Sequence, residues 1–185
     1  NSGTAPSNLS VSLTQGVDPG GGGTCLLKGT KVTMSDGSIK RVQNLQVGDT
    51  LKSLNIDGLS DGESESLLFE STDLNYSSDI AIVTGIQHYE VNEIYIFMNQ
   101  NQRIIQSSND HNHFIKRDAI HKFVPSSRIR VGDYLMNELG EYIEIEDITI
   151  LQNSSFDVYK VDVEERDVFF ANGLLTHNAK IKPEL

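Results

Sequence analysis

A seven-residue pattern occurs twice in this chain of 185 residues. Residues 45–51 read Leu-Gln-Val-Gly-Asp-Thr-Leu, and residues 129–135, which lie 84 positions later, read Ile-Arg-Val-Gly-Asp-Tyr-Leu. A Gly-Asp pair is typical of a turn, and the apolar residue spacing around each pair is typical of an adjoining strand. The repeat therefore predicts two related halves that each open the same strand after the same turn and pack face to face.

Most of the remaining pattern is also typical of strands. The runs 94–98 and 158–163 are rich in β-branched and aromatic residues, and residues 141–148 alternate between apolar and polar. An Asp36-Gly37 pair between two strand-like runs predicts a hairpin. Because no segment keeps a helical period over three turns, the sequence predicts an all-β domain.

Composition divides the chain into three parts. Residues 1–24 are rich in Ser, Gly, Pro and Thr and predict an N-terminal flank, and the short polar segment 179–185 predicts a C-terminal flank. The intervening residues 25–178 are enough for one domain with its own core. Within that domain, residues from about 55 to 79 are acidic and lack any basic residue, which predicts a long acidic surface loop.

The charge and hydropathy of the sequence argue against nucleic-acid-binding, membrane and secreted proteins. A net charge of −11 argues against a nucleic-acid partner. No apolar run is long enough to span a membrane, and no signal-peptide pattern is found at the N-terminus, so we expect a monomeric, cytoplasmic protein without a membrane partner. The single cysteine cannot form an internal disulfide and would often be a small buried apolar residue.

That cysteine and one dipeptide carry the chemistry that the sequence indicates. Cys25 can attack the carbonyl of Thr24 and convert the peptide bond into a thioester. Asn178, which follows His177, can attack its own carbonyl, close a succinimide and release Ala179 with the residues after it. Two self-cleaving groups, each with a short flank outside it, indicate a self-excising element.

The motifs around these residues resemble those of inteins, which belong with the Hedgehog autoprocessing domains to the HINT superfamily. Residues 25–32 are similar to the N-terminal splicing motif, and residues 158–159 and 169–178 are similar to the C-terminal motifs. The resemblance implies a horseshoe-shaped all-β fold with two pseudo-two-fold-related halves, no cofactor and no metal. It also implies that the partner is the interrupted host protein, whose exteins flank the domain in cis. Because no homing endonuclease fits between Leu51 and Gln87, we expect a minimal intein.

The resemblance also implies roles for residues of a third motif, Thr-x-x-His. Residues 108–111 match it with serine in place of threonine, and His113 offers a second register. His111 would polarise the scissile amide and protonate the leaving amine, while Ser108 would hold that amide distorted. A pair of histidines on a solvent face, or a weak metal site with two ligands, is the alternative interpretation.

At the other scissile bond, His177 would donate to the carbonyl oxygen of Asn178 or to the leaving amine. Four charged residues are candidates for tuning the site, although solvated strand charges would explain them equally well: Asp110, Lys160, Asp162 and Asp167. Lys160 stands where the family often has an acidic residue, and Asp167 stands where it often has histidine.

Ala179 departs from the intein pattern. Full splicing needs a Cys, Ser or Thr nucleophile directly after the asparagine, so we expect an unspliced precursor whose ligation is blocked. The alanine is either a substitution that blocks splicing or the natural residue of an intein-like domain. The expected activity is a single-turnover autocatalytic rearrangement. The alternatives are a bacterial intein-like or Hedgehog-type domain that only cleaves, and a non-enzymatic β-sandwich binding module.

Overall fold

The computed structural model describes residues 24–60 and 63–178, so both predicted flanks apart from Thr24, and the predicted role of Ala179, lie outside the described residues. The described chain is almost entirely β, with one short α-helix, α1 (Glu63–Ser66), and two single-turn 3-10 helices (Val42–Asn44 and Ser126–Arg128). Its strands are β1 (Leu26–Leu27), β2 (Lys31–Thr33), β3 (Ile39–Arg41), β4 (Thr50–Ile56), β5 (Glu70–Ser71), β6 (Tyr76–Asn99), β7 (Gln102–Ser107), β8 (Asn112–Arg117), β9 (Ile120–Pro125), β10 (Tyr134–Met136), β11 (Tyr142–Glu144), β12 (Asp147–Glu164), β13 (Val168–Ala171) and β14 (Leu174–His177). The all-β prediction is confirmed. No helix within the described ranges has the length and apolar character needed to cross a bilayer.

The strands form two sheets. The first has the order β12-β1-β7-β6-β4, and β12 also pairs with β6, so the strands β12, β1, β7 and β6 close on themselves. The second runs β11-β10-β8-β14-β13-β2-β3, and β9 and β5 are added beside β8. The short strand β1 thus places the start of the predicted domain in one sheet, while β14 places its end in the other.

The two long strands β6 and β12 are antiparallel, and their pairing is irregular at two points, one of which lies between Asp162 and Val163. Asp162 pairs with Gly85, whereas the next residue, Val163, pairs with Val83, so Thr84 is an extra residue on β6. An extra residue of this kind bends a strand and redirects the neighbouring side chains, and such bulges are frequent beside active sites. Asp162 and Val163 lie at this bulge.

The repeated Val-Gly-Asp segments have the same backbone structure. Gly48 and Gly132 both adopt a φ of 92°, which favours glycine. The amide of Gly48 donates to the carbonyl of Val83 at 2.8 Å, and the amide of Gly132 donates to the carbonyl of Ile145 at 2.9 Å. Because the same turn recurs with the same strand contact, the predicted pair of related halves is confirmed.

The aspartates of the two turns also have equivalent roles. The Asp49 carboxylate accepts from the amide of Gln46 at 2.8 Å and from Lys40. The Asp133 carboxylate accepts from the amide of Arg130 at 2.8 Å and from the guanidinium of Arg117. Each carboxylate therefore closes its turn and anchors one basic side chain of the same half.

Two tight turns position the ends of the domain. The predicted hairpin at Asp36-Gly37 is present and joins β2 to β3. A second hairpin joins β13 to β14 through Asn172 and Gly173, whose φ angles are 51° and 74°. Positive φ at both central residues matches the right-handed twist of the strands in a two-residue hairpin. This hairpin leads directly into His177 and Asn178.

Part of the acidic segment 55–79, for which the sequence predicts a surface loop, belongs to strands. Its two ends belong to strands β4 and β6, which pair with each other from Thr50–Ile82 to Ile56–Tyr76. We call residues 57–75, which connect these strands, the connecting segment. Strand pairing outweighed the acidic composition at the segment ends, because β4 and β6 satisfy each other's backbone groups.

The connecting segment is also tied to the domain interior. Its Phe69 is 8% exposed and joins a buried apolar cluster that includes Phe114, Phe123 and Phe170. Its strand β5 pairs with β9. The segment therefore covers the side of the domain on which β14 lies, rather than extending away as a surface loop.

Candidate active site

Cys25 lies at the start of β1 and is completely buried. Three hydrogen bonds hold its main chain to Ser108: the Cys25 amide donates to Ser108 Oγ at 2.9 Å, and the Cys25 carbonyl accepts from the Ser108 amide at 3.0 Å and from Ser108 Oγ at 3.4 Å. The Cys25 amide is the nitrogen of the Thr24–Cys25 peptide bond. The serine of the predicted motif therefore contacts the bond that the sequence marks as scissile.

The electrostatic surroundings of the Cys25 thiol favour its neutral form. Burial raises the pKa of Cys25 from 9.0 to about 12, the charge of Lys160 lowers it, and the charge of Asp110 raises it. Asp110 is within 3.3 Å of Ser108 Oγ, and burial raises the pKa of its own carboxyl. Two of the four predicted tuning residues thus act on the thiol with opposite signs.

His111 is buried beside the same peptide bond. Its Nε2 lies 2.6 Å from Thr176 Oγ1, and the Thr176 hydroxyl lies 3.2 Å from the carbonyl of Asn112. Because that carbonyl can only accept, the hydroxyl donates to it, and His111 Nε2 donates to the hydroxyl. A neutral His111 therefore carries its proton on Nε2 and leaves a lone pair on Nδ1.

His111 Nδ1 is buried and has no hydrogen-bond partner among the described residues, and the Thr24 backbone influences the charge of the ring. Burial lowers the pKa of His111 from 6.5 to about 3, the backbone of Thr24 raises it, and the charge of His177 lowers it. Burial likewise lowers the pKa of His113, whose Nε2 lies 2.8 Å from Ser107 Oγ. Both histidines are buried rather than placed on a solvent face, and His111 is the one that contacts Thr24.

His177 contacts the second predicted scissile bond directly. Its Nδ1 lies 2.6 Å from the carbonyl oxygen of Asn178, and its Nε2 lies 2.7 Å from Ser66 Oγ. Since a carbonyl oxygen only accepts, Nδ1 carries a proton and donates to it. A proton donor held at this oxygen polarises the carbonyl that the Asn178 side chain would attack.

The carboxamide of Asn178 is buried and oriented. Its Nδ2 donates to the carbonyl of Val163 at 3.1 Å and lies 3.5 Å from the Asp162 carboxylate. The main-chain amide of Asn178 donates to the carbonyl of Asp167 at 2.8 Å. Asp162 and Asp167, the other two predicted tuning residues, therefore hold the side chain and the main chain of Asn178 respectively.

The two ends of the domain meet along β12. Leu26 pairs with Tyr159, so Cys25 lies beside Lys160, the next position in the register. Asp162 is two residues further along β12, which is about 7 Å at the usual rise of a strand. Because Asp162 contacts the Asn178 side chain, the thiol and the carboxamide lie in one region of the fold.

The sequence did not predict three residues of the site. Thr176 orients His111, and the sequence could have indicated Thr176 as a site residue because it directly precedes His177. Val163 acts through its backbone carbonyl, so its side chain gives no signal. Ser66 contacts His177 from the connecting segment, 111 residues away in sequence, and nothing in its surroundings distinguishes it from the other serines there. Among residues 24–60 and 63–178, no three His, Cys, Asp or Glu side chains are grouped to hold a metal ion.

No protein-family model matches the chain, and no curated protein matches it in sequence. Solved structures do match its fold. A bacterial intein-like domain from Clostridium thermocellum aligns at 19% identity with a TM-score of 0.62, covering 84% of this chain and 99% of that one. The TvoVMA intein aligns at 16% identity with a TM-score of 0.64, covering 84% of this chain and 98% of that one.

A DnaB intein from Synechocystis sp. PCC 6803 aligns at 13% identity with a TM-score of 0.56, covering 85% of this chain and 99% of that one. These matches include nearly the whole length of each solved domain. The chain has the HINT fold, the fold of the inteins.

Proposed function

We propose that the chain is a self-processing element that rearranges the Thr24–Cys25 bond and cleaves the Asn178–Ala179 bond. The contact between His177 Nδ1 and the carbonyl oxygen of Asn178 carries this proposal. It places a proton donor on the one carbonyl that asparagine cyclisation must activate, and Asn178 Nδ2 is held beside a backbone acceptor and a carboxylate. A binding module has no need of such an arrangement.

The first step is an acyl shift from nitrogen to sulfur. The Cys25 thiol gives its proton to the lone pair on His111 Nδ1, and the sulfur attacks the Thr24 carbonyl carbon. The carbon–nitrogen bond then breaks, and His111 returns the proton to the departing Cys25 amine. Ser108 holds the amide nitrogen throughout. The products are a Thr24 thioester and a free amine, so no atom is gained or lost.

The second step is cyclisation of Asn178. Its Nδ2 attacks its own carbonyl carbon while His177 stabilises the negative charge that develops on the oxygen. Asp162 is placed to accept the proton that Nδ2 loses. The bond to Ala179 breaks, the amine of residue 179 takes up a proton, and the chain ends in a succinimide. Both steps consume the chain itself, so each molecule reacts once.

We further infer that ligation of the two flanks is blocked. A methyl group at position 179 cannot accept the acyl chain from Cys25, so the thioester has no internal acceptor. The proposed element, whose partner is the host protein in cis, therefore cleaves rather than splices. The similarity to a solved bacterial intein-like domain is in keeping with this assignment. A Hedgehog-type domain would pass the thioester to an external nucleophile and would leave the Asn178–Ala179 bond intact.

The test uses the full chain incubated with dithiothreitol or hydroxylamine and followed by mass spectrometry. We expect release of residues 1–24 from the trapped thioester, and separate loss of residues 179–185 with a succinimide or its hydrolysis product at Asn178. Cys25→Ala should abolish the first event and Asn178→Ala the second. Ala179→Cys should restore a ligated product joining the two flanks. If the wild-type chain and Ala179→Cys both stay intact, the proposal is wrong.

A further inference from the structure

Ser66 brings the connecting segment into contact with the C-terminal cleavage site. It is fully buried at the end of α1, and its Oγ lies 2.7 Å from Nε2 of His177. The connecting segment joins β4 to β6, and Ser66 connects it to a proposed reacting group. Its predicted character was an acidic surface loop, so a buried polar contact with a reacting histidine needs a physical explanation.

The contact determines which nitrogen of His177 carries the proton. His177 can donate to the Asn178 carbonyl only if Nδ1 is protonated, and a neutral imidazole then has its lone pair on Nε2. The Ser66 hydroxyl donates to that lone pair. The hydrogen bond at one ring nitrogen fixes the tautomer and the orientation of the ring at the other. Without Ser66, the tautomer protonated on Nε2 competes, and it presents a lone pair to a carbonyl oxygen.

We propose that Ser66 is a positioning residue for asparagine cyclisation and that the connecting segment is part of the C-terminal cleavage site. This inference rests on the proposed function of Asn178. Ser66 acts through His177 and touches no reacting atom itself. The connecting segment therefore has a defined chemical role: it holds His177 in the tautomer that polarises the Asn178 carbonyl.

The packing around Ser66 is suited to such a role. The amide of Phe69 donates to the Ser66 carbonyl at 3.1 Å, and the Phe69 ring packs against Phe114 with centroids 6.2 Å apart. Beyond it, β5 pairs with β9 through Glu70–Lys122 and Ser71–His121. The hydroxyl is thus held between a buried aromatic contact and a strand pair, which limits its movement relative to His177.

A structural role for Ser66 is the alternative, and Ser53 provides a matched control. Ser53 is also fully buried, and its hydroxyl donates to the backbone carbonyl of Val168 at 2.6 Å. Replacing Ser53 by alanine removes a buried serine hydrogen bond to Val168, the strand partner of His177, while the Ser66–His177 side-chain contact stays in place. Loss of stability alone should therefore appear in both alanine variants.

The first experiment measures the rate at which the full chain loses residues 179–185, by mass spectrometry. We expect Ser66→Ala to slow this loss about tenfold, the effect of about 1.4 kcal/mol, with dithiothreitol-induced release of residues 1–24 unchanged. Ser66→Thr keeps the hydroxyl and should recover most of the rate, and Ser53→Ala should stay within about twofold of wild type. A wild-type rate in Ser66→Ala, or equal slowing of both cleavages, would overturn the inference.

A second experiment reads the tautomer directly and does not depend on cleavage. In Asn178→Ala the backbone carbonyl remains but the nucleophile is gone, so the chain stays intact at this bond. Nitrogen-15 NMR of His177 should show the Nδ1-protonated tautomer, and adding Ser66→Ala should shift it toward a mixture. An unchanged tautomer would overturn the role of Ser66, whereas failure of both the wild-type chain and Ala179→Cys to lose residues 179–185 would refute the proposed function instead.

Discussion

The opposite charges of Lys160 and Asp110 allow a test in which two substitutions change one rate in opposite directions. Both charges act on the buried Cys25 thiol, whose pKa burial raises to about 12. At about pH 8, roughly one such thiol in 10,000 is ionised, so attack on Thr24 is limited by the thiolate or by proton transfer to His111. Lys160→Met should make the thiolate rarer, and Asp110→Asn should make it more frequent.

The magnitude follows from the strand register. Cys25 lies beside Lys160 across the β1–β12 pair, which allows an approach of about 6 Å between the thiol and the ammonium. Two unit charges at about 6 Å interact by about 1.4 kcal/mol at an effective dielectric constant of about 40, and this changes an equilibrium roughly tenfold. We therefore expect Lys160→Met to slow thioester formation about tenfold. Asp110 is the weaker influence, so Asp110→Asn should accelerate it about threefold.

The assay is release of residues 1–24 by excess dithiothreitol, followed by mass spectrometry between about pH 7 and pH 9. Because the proposed step passes the thiol proton directly to His111, which its pKa of about 3 keeps neutral throughout this range, the variants are compared with wild type at each fixed pH. Lys31→Met, an exposed charge change on β2, is the control and should leave the rate unchanged. Rate changes of the same sign in Lys160→Met and Asp110→Asn would refute the electrostatic reasoning.

Three further predictions concern other contacts of the site and the core. Ser108→Ala removes the acceptor of the buried Cys25 amide, so dithiothreitol-induced cleavage should fall about tenfold or more, while Ser108→Thr should retain it. The pKa of His111 is about 3 in the folded chain and 6.5 when unperturbed, so its contribution to stability is complete above pH 6.5 and is lost as the pH falls toward 3. The urea midpoint of the wild-type chain should therefore drop as the pH falls through this range, and the midpoint of His111→Gln should drop less steeply. Phe69→Ala should lower the free energy of unfolding by about 3–5 kcal/mol in urea titrations and also slow loss of residues 179–185, because it loosens the connecting segment.

Local sequence patterns were sufficient to predict much of the fold. The repeated Val-Gly-Asp segments form matching turns, because a positive φ at glycine and a carboxylate that closes the turn are both encoded within a few residues. The Asp36-Gly37 hairpin is equally local. Alternation in the strands predicted the all-β class, since the side chains of a strand face opposite sides of its sheet. In each case the determining interactions lie within a few positions of the signal.

The rest of the site depends on contacts between distant residues. The tuning residues were only candidates in the sequence, because a charge on a strand gives no sign of which group it faces. Asp162 reaches Asn178 because Thr84, on the other long strand, is an extra residue that produces a bulge. Ser66 reaches His177 because Phe69 anchors the connecting segment in a cluster of distant aromatic residues. The acidic composition of that segment gave no indication that Ser66 would be buried.

The described contacts also connect the two proposed reaction centres through a single strand. His111 faces the Thr24 backbone on one side and donates to Thr176 on the other, and Thr176 precedes His177 on β14. His177 in turn donates to the Asn178 carbonyl. A rearrangement that moves His111 at the first bond must therefore strain or break a hydrogen bond to the residue next to the donor at the second. If the two steps are coupled by this contact, Thr176→Val should leave each cleavage possible but remove the dependence of Asn178 cyclisation on the state of Cys25. Measuring loss of residues 179–185 in Thr176→Val with and without Cys25→Ala tests this, and a dependence that survives the substitution would place the coupling elsewhere.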